Sequence, residues 1–97
     1  MQFEIKYIDN KIKGGFIGMN KKAAQELGIH YPHRQNIIEI YKTEEPIMQH
    51  TITHEKIEFC LMKKGLTYHE AHKIALKHER RTEPLRQILK EVCNKLK

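Results

Sequence analysis

The stretch His54-Glu55-Lys56-Ile57-Glu58 reads H-E-x-x-E. On an α-helix, residues four apart share a face, so His54 and Glu58 can both reach one metal ion. Glu55 follows His54 by about 100° around the helix axis and can reach a water held at that metal. The related pattern H-E-x-x-H brackets a general base with two zinc-binding histidines. Here a carboxylate stands where the second histidine would be, and zinc accepts carboxylate oxygens as well as imidazole nitrogens. The expected chemistry is hydrolysis: zinc as cofactor, a metal-activated water as nucleophile and Glu55 as catalytic base.

A catalytic zinc takes three protein ligands and keeps one position open. The third is sought on the following helix. Gly65 stops the first helix, and Thr67-Tyr68-His69-Glu70 is a capping box that starts a second one running from Tyr68 to about Arg80. A short turn folds this helix back antiparallel, which sets residues 72–78 beside 54–58. His69 then pairs nearer Met62 and is disfavoured. His72 shares a face with Ala71, Ala75 and Glu79, and small residues there let the helices approach closely. His78 lies further round, with Ile74. His72 is the preferred metal ligand and His78 the alternative. Glu79 reads either as a carboxylate orienting a ligating imidazole or as a surface charge. Tyr68 reads either as a donor to a developing oxyanion or as a packing residue. Taken alone, a five-residue pattern in a chain rich in His and Glu is more often a solvated helical face. Ile57 and Leu61 on the adjoining side, the glycine turn and the capped return helix shift that balance.

The elements that must position these residues can be read in order. Phe3, Ile5 and Tyr7 alternate with Glu4 and Lys6 as in a half-buried strand. Asp9-Asn10 is a turn. Residues 11–13 and 16–18 read as two short strands around Gly14-Gly15. This run lacks the spacing of a phosphate-binding loop. Asn20 is a helix N-cap, Ala23, Ala24 and Leu27 form that helix's apolar stripe, and Gly28 ends it. His30 and His33 flank Pro32 and are assigned to a solvated loop rather than to a metal. Residues 36–42 form a strand partly buried on both faces, expected to pair with an extended substrate if it lies at a sheet edge. Pro46 suits a helix's first turn. Thr51-Ile52-Thr53 is weak helix sequence, which leaves the start of the active-site helix open between Pro46 and Ile52. Leu85, Ile88, Leu89, Val92 and Leu96 give a last amphipathic helix a firm stripe.

Ninety-seven residues suggest one domain with a modest core. The formal charge is +6, from 18 basic and 12 acidic side chains, which favours acidic partners without defining a site. Lys73, Lys77, Arg80, Arg81, Arg86, Lys90 and Lys95 support an alternative reading as a small nucleic-acid-binding module. No recognised binding motif accompanies them, so nucleic acid is disfavoured as a partner. Cys60 and Cys93 form no C-x-x-C pair and read as buried thiols. No apolar run approaches a membrane span and the N-terminus resembles no signal peptide, so a cytoplasmic protein without membrane contact is expected.

The stretch from Ile52 to Glu79, ITHEKIEFCLMKKGLTYHEAHKIALKHE, resembles the minigluzincins, a family of very short zinc metallopeptidase zymogens. The likeness extends over most of the chain. It implies an α+β fold: a small sheet or β-ribbon with an N-terminal helix, a zincin-like active-site helix, an antiparallel ligand helix and a C-terminal amphipathic helix. It implies a catalytic unit over residues 1–82, similar to that of membrane-embedded metallopeptidases, acting on peptide or protein substrates. A histidine as third ligand, matched by His72, is also implied, as is latency through residues 83–97. Glu58 departs from the commoner motif. The residues add that the last helix cannot hide its stripe alone. It is expected to pack into the cleft or onto a second molecule, with exchange about the hinge at residues 81–83 giving a homodimer. A catalytically inactive metal-binding or interaction scaffold is the remaining alternative.

Overall fold

The computed structural model describes residues 2–12 and 14–96 of the chain. Three strands form a mixed sheet: β1 (Glu4–Ile8), β2 (Gly18–Met19) and β3 (Ile37–Tyr41), in the order β1-β3-β2. β1 runs parallel to β3, with Ile5 opposite Ile38 and Tyr7 opposite Ile40. β2 is antiparallel to β3, with Gly18 opposite Ile40 and Met19 opposite Glu39. Four helices complete an α+β fold: α1 (Lys21–Leu27), α2 (Glu45–Lys63), α3 (Tyr68–His78) and α4 (Leu85–Lys95).

Ile38 and Ile40 are fully buried while Ile37, Glu39 and Tyr41 are half-buried. This is the pattern of a strand covered on one face and partly on the other. β3 is nevertheless the central strand, so the expectation that it offers an edge to substrate is corrected. Neighbours on both sides take its backbone groups, and the strands left with an open edge are β1 and β2, of which β2 borders the H-E-x-x-E cleft. The first glycine segment also differs from the two strands expected. Among the described residues, pairing there is a single bridge between Ile12 and Phe16, and the strand joining the sheet starts two residues later, at Gly18. Lys13, placed in one of those expected strands, lies outside the described residues.

α1 begins and ends as its sequence dictates. The Asn20 side chain accepts from the Ala23 N–H (2.9 Å), and Gly28 takes the left-handed conformation at φ 72°. α2 starts at Glu45, just before Pro46, so the Thr51-Ile52-Thr53 segment does not delay it. Both threonine hydroxyls donate to carbonyl oxygens four residues back, Thr51 to Ile47 (2.8 Å) and Thr53 to Gln49 (3.1 Å). The residues that weaken helix propensity are thus satisfied inside the helix.

The capping box at Thr67 is complete. The Glu26 carboxylate, from the last turn of α1, accepts the Tyr68 backbone N–H at the start of α3, a favourable place for an anion. α3 returns along α2: Glu58 meets His72 and His54 meets Glu79, so later residues of α3 lie beside earlier ones of α2. Ala71 and Ala75 are fully buried at this crossing with Ile57 and Leu61.

α4 closes the same core with Ile88 and Val92. It lies on the side of α2 that carries Cys60 and Lys64, and lines a groove there with Phe3. Among the described residues, none of those lining the H-E-x-x-E cleft belongs to α4. The seat α4 adopts is therefore not in the cleft. No helix is long and apolar enough to cross a membrane among the described residues.

Candidate metal centre

One cavity of about 210 Å³ collects His54, Glu55 and Glu58 from α2, Tyr68, His72 and Leu76 from α3, and Glu79 just beyond it. Phe16, Ile17, Gly18 and Met19 form the opposite wall, along the open edge of β2, and Thr51 adds a further side. His54 and Glu58 are buried and His72 is partly exposed. The group the sequence assembled from spacing alone is brought together in space.

His54 Nε2, Glu58 Oε2 and His72 Nδ1 form a nearly equilateral triangle. The sides are 3.0 Å from His54 to Glu58, 3.0 Å from His72 to Glu58 and 3.1 Å between the two imidazoles. The other nitrogen of His54 decides what this triangle can do. Nδ1 lies 2.8 Å from Glu79 Oε1, and an ionised carboxylate only accepts, so Nδ1 carries the proton. A neutral His54 then turns the Nε2 lone pair onto the Glu58 oxygen and the His72 nitrogen. Lone pairs so close repel unless a cation, proton or metal, lies between them. A buried His54, Glu58, His72 group of this kind can hold a metal ion. The Glu79 bond is the carboxylate–imidazole contact that orients metal-bound histidines.

Electrostatics at the site follow from the same contacts. Burial disfavours a charge on His54. The Glu58 hydrogen bond and the fields of Glu55 and Glu58, with Glu79, outweigh that and raise its pKa to about 9. A proton is thus held strongly where the metal would lie. Glu55 is pushed well above the ordinary carboxylate range, first by burial and then by the charge of Glu58, against the opposing pull of His54 and Asn20. The Tyr68 hydroxyl is pushed up to about 12 by burial and by Glu58 and Glu55, so it remains a proton donor. Its ring stacks on His72, with centroids 5.2 Å apart and planes 27° apart. Tyr68 therefore packs against a candidate ligand and still fronts the cavity.

Comparison with protein-family models, with curated proteins and with solved structures gives no match. The chemistry of the site rests on its own residues.

His78, the alternative ligand, does not reach the site. Six residues after His72 it is turned by about 240°, and its Nδ1 lies 3.3 Å from Arg81 Nη1. His33 is also not the solvated loop residue expected. It bonds Glu39 at 2.7 Å and meets Tyr31 edge-on, away from the cleft, while His30 is exposed.

Two contributors were not singled out for the site from sequence. Asn20, fully buried, places its Nδ2 2.9 Å from Glu55 Oε1 and 3.1 Å from Glu58 Oε1. Gly18 lies against α2 so closely that a Cβ there would meet Thr51 Cγ2 at 2.5 Å and Glu55 Cγ at 3.1 Å. Both residues are far from 54–58 in sequence. Asn20 already had a sufficient local role as a cap, and no local pattern marks a second one.

Proposed function

We propose that the chain is a zinc-dependent metallopeptidase in which His54, Glu58 and His72 hold the metal and Glu55 is the general base. The observation that carries this reading is the triangle of ligand atoms beside a buried carboxylate, in a cleft bordered by an unpaired strand edge. A tetrahedral ion with bonds of about 2.0–2.1 Å needs ligand atoms about 3.3 Å apart, and the sides of 3.0 to 3.1 Å are close to that. Two nitrogens and one carboxylate oxygen are also a donor set that zinc accepts. Bound there, zinc supplies Lewis-acid chemistry, polarising a carbonyl and bringing the pKa of water toward neutrality.

The protein groups supply the rest. Glu55, held in the cleft wall and ionised when a cation offsets the charge of Glu58, takes a proton from the attacking water and delivers it to the leaving amine. Tyr68, still protonated, donates toward the carbonyl oxygen as it gains charge. β2 offers its free edge to an extended peptide, which would add to the sheet beside Gly18 and Met19. The C-terminal helix belongs to the proposal as a regulatory element. The inhibition that the minigluzincin resemblance implies requires α4 to leave its seat on α2 and enter the cleft. Exchange of α4 between two copies would fill the same seat and leave the cleft as it is.

Zinc per chain, measured in wild type and in His54→Ala and His72→Ala, tests the site. About one zinc in the wild type, lost in both variants, is expected. Peptide cleavage that is abolished by Glu55→Ala while zinc is retained tests the reaction. Stoichiometric zinc with no cleavage of any peptide would overturn the peptidase assignment and leave a metal-binding scaffold.

A further inference from the structure

Asn20 stands at the join of β2 and α1 and has no exposed surface. Its carboxamide is used at every polar atom. Oδ1 accepts the Ala23 N–H at 2.9 Å, which makes it the N-cap of α1. That contact also fixes which end of the amide is which, because a backbone N–H needs an oxygen opposite it. Nδ2 is therefore the group facing α2. It has two protons, and it lies within hydrogen-bond distance of two carboxylates, Glu55 Oε1 at 2.9 Å and Glu58 Oε1 at 3.1 Å.

Glu55 and Glu58 are three residues apart on one helix, so their carboxylates face the same way. Without a donor between them they repel and are free to turn. With one, each has a single oxygen tied to the scaffold. Glu58 is left with Oε2, the atom that meets both His54 and His72. Glu55 is left with Oε2, which takes no hydrogen bond from the described residues. It lies beside Gly18, where a Cβ would be 3.1 Å away.

We infer that Asn20 is a positioning residue for the proposed hydrolysis: one buried amide holds the metal-ligating Glu58 and the base Glu55 together and commits the Oε2 atom of each to the reaction. This rests on the metallopeptidase reading and adds to it a residue from outside the H-E-x-x-E helix. Its dual bond also ties the α1 start to the catalytic helix, so the cleft wall and the metal ligands are set by one side chain.

The cap and the bridge can be separated. Asp and Ser cap helices about as well as Asn, but neither offers an NH2 group to two carboxylates. In Asn20→Ser and Asn20→Asp, α1 is expected to persist by amide exchange. Zinc dissociation constants should rise by about 10- to 100-fold, and kcat for peptide cleavage should fall by a similar factor with KM nearly unchanged. Zinc affinity and kcat within about twofold of wild type in the folded Asn20→Ser chain would overturn the inference. A wild-type measurement guards against variants that fail to fold. Both side-chain amide protons of Asn20 should be protected from solvent exchange and should shift when zinc is added. Fast-exchanging protons in the wild type would also overturn it. A wild-type chain that takes up no zinc, yet shows both amide protons protected, would instead count against the metallopeptidase reading while retaining the bridge.

Discussion

His54 commits its two ring nitrogens in different directions: Nδ1 to Glu79 and Nε2 to the triangle with Glu58 and His72. Removing the Glu79 carboxylate frees the ring to rotate and to exchange tautomers. Glu79→Ala is expected to weaken metal binding by about 10- to 100-fold, read by calorimetric titration. An unchanged affinity would reduce Glu79 to a surface charge. The same histidine sets a pH dependence. Its folded-state pKa of about 9 lies above the ordinary value of 6.5, so its contribution to stability is complete below about pH 6.5 and is lost as pH rises through 9. Glu55 acts in the same direction. Its folded form retains a proton that the unfolded chain releases, so stability falls with rising pH above the ordinary Glu value. The metal-free chain should melt at a lower temperature at pH 9 than at pH 6.5, and a melting temperature that rose over that interval would contradict this. Metal binding has the opposite slope. It must displace the His54 proton, so affinity should increase up to about pH 9 with proton release measurable by titration in two buffers.

At the scale of elements, the site depends on how closely β2 approaches α2. Gly18 is the point of closest approach, and the nearest obstacle to a Cβ is the Thr51 methyl at 2.5 Å. Gly18→Ala should push the strand from the helix, destabilise the fold by about 1–3 kcal/mol and disturb Glu55. Thr51→Ser removes that methyl and keeps the hydroxyl bonded to Ile47. Adding Thr51→Ser to Gly18→Ala should therefore recover part of the loss in a chemical-denaturation series. An additive pair would show that the clash is relieved elsewhere. The legibility of the elements followed from whether their signals were local. The cap at Asn20 and the capping box at Thr67 depend on residues within a turn, and the structure contains both. The stripe of α4 is buried at Ile88 and Val92 and partly at Leu85 and Leu89, while Leu96, expected in it, caps the helix half exposed. The start of α2 was open because threonine propensity was weighed without the back-bonding of Thr51 and Thr53. The order of the sheet was not legible, since nothing within residues 36–42 states which neighbours they pair with.

The whole molecule is small, and its core is shared between the sheet side and the helical side of α2. Ile88 and Val92 of α4 are buried with Ile57 and Leu61 of α2 and Ala71 and Ala75 of α3. Ile88→Ala should cost about 2–5 kcal/mol, measured by denaturant unfolding. α4 is thus part of what holds α2 and α3 together, and any regulatory movement of it has to offset that loss of burial. Metal should compensate in part. Zinc at about 100 times its dissociation constant is expected to add about 2.7 kcal/mol, raising the melting temperature of the wild type and leaving that of His54→Ala unchanged.

What the sequence determined by itself were relationships carried by the helical repeat. His54, Glu55 and Glu58 share a face because of their spacing, and the glycine turn followed by a capped helix sets residues 72–78 beside them, with His72 preferred and His78 left open until the structure brought His72 to the group. A helix fixes the angle between its own side chains whatever surrounds it. Only the tertiary structure decided which Glu58 oxygen faces the two imidazoles, which of the two edge strands borders the cleft, and that α4 sits away from it. Asn20 shows the reason most directly. Its bond to Ala23 spans three residues and could be read locally, while its bonds to Glu55 and Glu58 span 35 and 38. They exist because β3 holds β2 in register and β2 delivers the next residue beneath α2.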